Sequence, residues 1–342
     1  MKVLTSFYDD TTLLWADKLR RALAGSSFAL SIVDETGSLA ASELSARQRA
    51  SVEPFIESGP NNPFDHPDYL SQFDVVATGK PSLELTELLS SESYRRSPSR
   101  PHFVAFHPGL SFTIKKGFLN RRDFDSVVAN SRLHAIQGSQ WLAEQPVTIE
   151  WYQPSLAPKR SWLGSTASDI DRVVFFTQAE SPSTPASRTF MVDLVRTFAT
   201  SRPDIETIVK LRSAPGENRG HVHKDLFPYT DLLTDSPPNL TTALDRAEDY
   251  FDAATLSFGC TTTVISEAVA HGAPTICYLD YPESWLDKLN LPMRRLMVGS
   301  GVIGSLDDIF DLQFRQPSED WVSRNYRSDD FAKFFEKLIA QL

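Results

Sequence analysis

The chain has 342 residues, 41% of them hydrophobic and 23% charged, which is ordinary globular composition and long enough for two domains of roughly 100–200 residues each. Its formal charge of −10 argues against a general nucleic-acid binder, because the phosphate backbone supplies most of that affinity. Two cysteines, Cys260 and Cys277, form no C-x-x-C or zinc pattern and read as small buried hydrophobes of a reducing compartment.

The first residues, MKVLTSFYDD, reach two aspartates before a secretory apolar region could form, and no run approaches the roughly 20 apolar residues of a membrane span. A cytoplasmic protein is expected.

Lys2–Phe7 predicts a strand, and Thr11–Ala24 an amphipathic helix capped by Thr11 or Asp10. A second strand covers Phe28–Val33 and ends at Asp34, and Glu43–Ser51 is expected to be helical. After the turn-rich SGPNNPFDHPDY, a third strand covers Phe73–Thr78 and a helix Pro81–Leu89. His102–His107 and Ser126–Asn130 are the fourth and fifth strands. Such alternation implies βαβ units and a parallel sheet.

The stretch YQPSLAPKRSWLGSTASD carries prolines and serines without a clean period, and the domain linker is placed there, giving domains 1–160 and 161–342. Alternation restarts with a strand at Arg172–Thr177, a helix over Ala186–Thr200 and a strand at Thr207–Leu211. Leu240–Tyr250 is expected to be helical, followed by a strand at Ala253–Phe258, a helix through Ser266–His271 and a strand at Thr275–Leu279. The final SDDFAKFFEKLIAQL is amphipathic, with Phe331, Phe334, Phe335, Leu338 and Ile339 on one stripe. It is assigned to the second domain as a helix that packs back.

The chemistry concentrates in ATLSFGCTTTVISEAVAHGAPTICY, residues 254–278. A strand ends at Gly259, Thr261, Thr262 and Thr263 open a helix, and Glu267 follows one turn later. A helix N-terminus offers unpaired N–H groups and a partial positive charge, so it suits a phosphate. A carboxylate one turn inside can accept from ribose hydroxyls. The plain alternative is a capped core helix.

Lys210 and Arg212, at a strand's carboxyl end, could neutralise phosphate or simply be solvated. Gln178 and Ser181 sit at the tip of the second half's first strand, and His221 and His223 lie in a polar loop. No Asp-x-Asp metal motif is apparent, and no cofactor beyond the substrate is expected. In the first half Asp9, Asp10 and His107 stand at strand ends and are candidates for a general base, with Asp10 ranked first and Asp34 weaker. Residues 112–122 mix Phe112, Ile114, Phe118 and Leu119 with Lys115, Lys116, Arg121 and Arg122. Such a patch suits an anionic lipid or acidic glycan, or is a solvated helix face.

The segment GCTTTVISEAVAHGAPTICY resembles the nucleotide-binding segment of GT-B glycosyltransferases. VVFFTQAES, IVKLRSAPGE and FVAFHPGLSF resemble a bacterial glycosyltransferase family distantly similar to capsular sialyl- and Kdo-transferases. The resemblance implies an α/β chain of two Rossmann-like domains facing a cleft, the second binding the nucleotide-sugar and the first the acceptor. It implies transfer from a nucleotide-sugar, CMP-sugar favoured, to a glycan or lipid-linked acceptor. Retaining GT-B enzymes often carry a glutamate eight positions before the one matched here, and that position is Gly259, which favours an inverting, metal-independent reaction. Capsular sialyltransferases use a His-Pro pair where this chain has HVH. A GT-B-fold epimerase and a non-catalytic nucleotide- or sugar-binding protein are the alternatives.

Overall fold

A computed structural model of the chain describes residues 1–341 except 36–49, 51, 61, 108, 110–112, 179–180, 213 and 215–226. The chain divides into two units, Met1–Pro158 with Arg327–Leu342, and Lys159–Tyr326. The first boundary falls inside the expected linker.

Unit 1 holds strands β1 (Lys2–Phe7), β2 (Ala29–Asp34), β3 (Val75–Thr78), β4 (His102–Phe106), β5 (Ser126–Ala129) and β6 (Thr148–Trp151). They form one sheet in the order β2-β1-β3-β4-β5-β6, with every pair parallel. Its helices include α1 (Asp10–Ala22), α2 (Leu83–Ser90), α3 (Ile114–Leu119) and α4 (Arg132–Trp141). The strands are near-continuous apolar runs because both sheet faces are covered. Alternate residues serve the two faces. Leu4, Val76 and Phe103 pack with Leu85 of α2 and Phe118 of α3, whereas Val3, Val75 and Val104 pack with Trp15 and Leu19 of α1.

The C-terminal helix (Phe331–Ala340) shares that second face, and all five residues of its apolar stripe are buried there. It therefore belongs to unit 1 and not, as expected, to the second half. The cause is aromatic packing. Phe331 lies 6.0 Å from Phe106 and 5.0 Å from Tyr152, ring centre to ring centre, and the Tyr152 hydroxyl donates to Asp329 O at 2.7 Å. Burying such side chains contributes roughly 1.5–3 kcal/mol each.

Unit 2 holds β7 (Arg172–Phe176), β8 (Glu206–Lys210), β9 (Leu240–Ala243), β10 (Thr255–Gly259), β11 (Thr275–Tyr278) and β12 (Ile303–Gly304). The order is β12-β11-β10-β7-β8-β9, again with every pair parallel. Helices α5 (Pro185–Ser201), α6 (Thr263–Ala270) and α7 (Asn290–Met297) belong to it. Met191, Val195 and Phe198 of α5 cover Phe175 and Phe258 on one face, and Ala268 of α6 packs with Val174 and Phe176 on the other.

Leu240–Tyr250, expected as a helix, is the edge strand β9 followed by a short 3-10 turn at Ala247–Tyr250. Leu240–Ala243 pairs with Thr207–Lys210, so sheet hydrogen bonds overrode the local pattern. The expected helix at Glu43–Ser51 lies outside the described residues, apart from Ala50.

Candidate nucleotide site and strand-end acids

In an open parallel sheet, ligands bind beyond the carboxyl ends of the strands where the strand order reverses. In unit 2 that point lies between β7 and β10, since β8 and β9 extend to one side of β7 and β10 and β11 to the other. The chain leaving β10 meets the chain leaving β7 there. Gly259 has little room for a side chain, for a Cβ would approach Thr262 Cγ2 to 3.0 Å and Phe176 O to 3.2 Å.

Thr261 is buried, and its hydroxyl lies 2.5 Å from Ser181 Oγ, 2.9 Å from Asp287 Oδ2 and 3.5 Å from Gln178 Oε1. Asp287 gathers the site. Its Oδ2 also accepts from Ser181 Oγ and from the Tyr281 hydroxyl, while Oδ1 accepts from Leu289 N at 2.9 Å. Burial, then Cys260 and Asp287, raise the Tyr281 hydroxyl far above its ordinary range, so it stays a donor. Its ring stacks on Trp285 at 4.6 Å between ring centres. One carboxylate thus joins the segments that follow β7, β10 and β11.

Thr262 is the N-cap of α6 and accepts from Val264 N at 3.4 Å, while Thr263 is the first helical residue and is half-buried. Glu267 sits one turn into α6 and is buried. Gly272 ends the helix with φ +77°, and a Cβ there would lie 2.1 Å from Ser161 O, so only glycine fits. Lys210 closes β8, is buried, and its Nζ donates to Leu211 O at 2.7 Å, while Arg212 beyond it is half-buried. His221 and His223 lie outside the described residues. The structure therefore brings together Gln178, Ser181 and Thr261. Asp287 and Tyr281 complete that group, and nothing in their local sequence announced it. Cys260 and Cys277 are free and buried, as expected.

In unit 1 the cap of α1 is Asp9, not Thr11 or Asp10. Asp9 Oδ1 accepts from Thr12 N at 2.8 Å while the Thr12 hydroxyl returns a bond from Asp9 N, a reciprocal capping box. Lys80 Nζ lies 3.2 Å from Asp9 Oδ2. Burial raises the Asp9 carboxyl, but the Thr12 and Lys80 contacts outweigh it and the net shift is downward. These contacts favour the charged carboxylate and make Asp9 a weaker base. Asp10 is the first helical residue of α1.

His107 follows β4 and is buried with Nε2 unpartnered, its ring 4.5 Å from Phe118. Burial, with Arg121 and His134 nearby, lowers its pKa well below the ordinary value, so it stays neutral.

The basic stretch divides. Arg121 is buried and donates to the carbonyls of Gly117, Gly79 and Phe106, tying the ends of β3 and β4. Phe118 is buried too, and Phe112 lies outside the described residues. Lys115, Lys116, Leu119 and Arg122 are exposed.

Glu35, just past β2, escaped the sequence reading, which stopped at Asp34. It is 7% exposed, its Oε1 accepts from Ser6 Oγ at 2.5 Å, and Ser82 also bonds it. Burial outweighs both hydrogen bonds and raises its pKa to about 7. The signal that could have found it is placement: an acid one residue past a strand whose neighbour β1 carries Ser6 near its own end.

Two α/β units, each built on one parallel six-stranded sheet, make this a GT-B-fold protein. The chain belongs to the family described as "Putative glycosyltransferase (DUF6716)", whose model matches residues 8–342. Among solved structures, the UDP-GlcNAc 2-epimerase from Neisseria meningitidis bound to UDP-GlcNAc is similar at 11% identity over 100% of both chains, with a TM-score of 0.58. Anabaena Alr3699/HepE in complex with UDP and glucose is 12% identical over 100% of both chains, with a TM-score of 0.54. The spinosyn forosaminyltransferase SpnP is 14% identical over 99% of both chains, with a TM-score of 0.51. At these identities the likeness establishes the fold. No curated protein matches the chain in sequence. Among the described residues, no helix is long and apolar enough to cross a membrane, and no group of three or more His, Cys, Asp or Glu is placed to hold a metal ion.

Proposed function

We propose that the chain transfers a sugar from a pyrimidine-nucleotide sugar to a hydroxyl of a glycan or lipid-linked acceptor, with inversion. The observation that carries this reading is the hydroxyl cluster at the switch point of unit 2, set directly before the N-terminus of α6 with Glu267 one turn in. In this reading the N–H groups at the start of α6 take the diphosphate or phosphate. Lys210 and Arg212 add positive charge nearby, and Glu267 accepts from the ribose. Stabilising the leaving phosphate in this way lowers the barrier to sugar transfer without requiring a metal.

The sequence resemblance favours CMP-sugars, whereas two fold neighbours hold UDP-GlcNAc or UDP. A pyrimidine is common to both. The exposed Lys115, Lys116, Leu119 and Arg122 retain the proposed role of a peripheral contact with anionic lipid or acceptor. The epimerase among the fold neighbours keeps a second reading open, in which UDP-GlcNAc is isomerised with no acceptor.

Titration calorimetry in EDTA with CMP, UDP, GDP and ADP tests the proposal. The expected result is pyrimidine binding at least tenfold tighter than purine binding, weakened about tenfold by Glu267→Gln, or about 1.4 kcal/mol. Unchanged affinity in that variant removes the ribose role, and absence of any nucleotide binding overturns the proposal. Conversion of UDP-GlcNAc alone into its epimer would decide for the second reading.

A further inference from the structure

We propose that Glu35 is the catalytic base that takes the proton from the attacking hydroxyl. The proposal rests on the transferase reading above. An inverting transfer needs one group that is deprotonated at working pH yet basic enough to accept a proton, placed at a ligand-binding edge. Among the candidates at the strand ends of unit 1, their surroundings separate Asp9, His107 and Glu35.

Asp9 is committed. It caps α1 and pairs with Lys80, and both contacts stabilise its charged form and weaken it as a base. His107 sits among buried neighbours and stays neutral, but its Cε1–Nδ1 edge faces Gly117, where a Cβ would stand 2.9 Å from Cε1.

Glu35 differs from both. Among the described residues no lysine or arginine pairs with it. Its backbone is fixed at both ends, with its N–H donating to Phe7 O at 3.0 Å and its carbonyl accepting from Asn62 N at 3.0 Å. The Ser6 hydroxyl orients one carboxylate oxygen. The charged and titratable groups facing it are Asp34 from β2, Tyr8 beyond β1, and Glu84 in the first turn of α2. Among the described residues none of these is a cation, so burial and repulsion hold the carboxylate in a state that gains by accepting a proton, and its pKa of about 7 agrees with that placement. Asp9 and Glu35, beyond the ends of neighbouring strands, are driven apart in acidity, Glu35 upward by burial and Asp9 downward by Thr12 and Lys80.

The step balances without a redox partner. The acceptor oxygen forms a bond to the anomeric carbon as the bond from that carbon to the phosphate oxygen breaks. The electron pair leaves with the nucleotide phosphate, and the acceptor proton passes to a Glu35 oxygen and then to solvent. Water can replace the acceptor in the same step, giving donor hydrolysis.

That side reaction provides the test. Nucleotide release from UDP-GlcNAc, UDP-glucose and CMP-N-acetylneuraminate is followed across pH for the wild type, Glu35→Gln and Ser6→Ala. The wild-type rate should rise with pH through a limb near 7. Glu35→Gln should lose about 10²–10⁴-fold and the limb with it, while still binding nucleotide in calorimetry. Ser6→Ala removes a hydrogen bond that favours the charged form, so its limb should move to higher pH with the plateau kept, a change that a purely structural role would not produce. A Glu35→Gln chain that turns over within a few fold of wild type, or that keeps the limb, overturns the assignment and leaves the transferase reading standing. A wild-type chain that releases no nucleotide from any of the three donors overturns the transferase reading itself, and the role of Glu35 with it.

Discussion

The state of Glu35 has a consequence for stability that can be measured without any substrate. A carboxyl that ionises at 4.5 in the open chain and at about 7 in the fold makes the folded state hold a proton that the unfolded state has released. Its contribution is therefore fully present below pH 4.5 and is lost as pH rises through 7. The whole span corresponds to roughly 3 kcal/mol. Glu35→Gln keeps the shape and the hydrogen bond from Ser6 but cannot ionise. The variant should nearly match the wild type at pH 5 and exceed it by roughly 2–3 kcal/mol at pH 8. A two-unit chain has no single unfolding free energy, so the measurement should report unit 1 alone. Native-state hydrogen exchange of the β1 and β2 amides does so, after correction for the intrinsic effect of pH. The variant's protection at pH 8 should exceed wild type by a factor on the order of 100, since about 1.4 kcal/mol is tenfold. Equal protection ratios at pH 5 and pH 8 would refute the reasoning, because Glu35 would then ionise alike in both states.

Two further outcomes follow from local geometry. Asp9→Ala should destabilise unit 1 by about 1 kcal/mol at pH 7 and Asp9→Asn by much less, read by the same exchange measurement, because asparagine also caps. Since the Asp9 carboxyl is lowered from 3.8 in the fold, its contribution is present above that value and is lost as pH falls further, so the Ala and wild-type chains should converge in strong acid. Gly272→Ala forces φ +77° on alanine and sets its Cβ against Ser161 O, so it should destabilise unit 2 by more than the roughly 1–2 kcal/mol that positive φ alone costs, read as a lowered thermal midpoint.

The sequence made β1 to β5, β7, β8, β10, β11 and the capped α6 legible because those signals are local: apolar runs of strand length, a glycine, a hydroxyl, a turn of helix. The edge strands β6 and β12 went unread, being short or half-buried runs that only their neighbours pair into a sheet. It misplaced what depends on distant partners. The stripe of Phe331, Phe334 and Phe335 announced a buried helix face but not which sheet it covers, since that is decided by Phe106 and Tyr152, far away in the chain. Leu240–Ala243 has too few residues to establish a period, and only pairing with β8 makes it a strand. Asp287 lies 26 positions from Thr261 and 106 from Ser181, a separation over which no spacing rule operates. Glu35 was passed over because the strand ended in Asp34, and the one further step leads from a half-buried residue to a buried one.

The Asp287 network also changes what the three threonines can do. A hydroxyl has one proton, and that of Thr261 lies between Asp287 and Ser181, where both acceptors compete for it. Thr262 spends a lone pair on Val264 N. Neither hydroxyl is therefore held in reserve for a phosphate, and a ligand that took the Thr261 proton would leave Asp287 with one donor fewer. The anion-binding capacity of this segment then resides in the backbone N–H groups at the start of α6, and the hydroxyls fix the path of the chain that presents them. On that view Thr261→Ser, which keeps the hydroxyl, preserves the site's shape. Thr261→Val, which keeps the volume, removes one of the donors on which the order of all three segments depends.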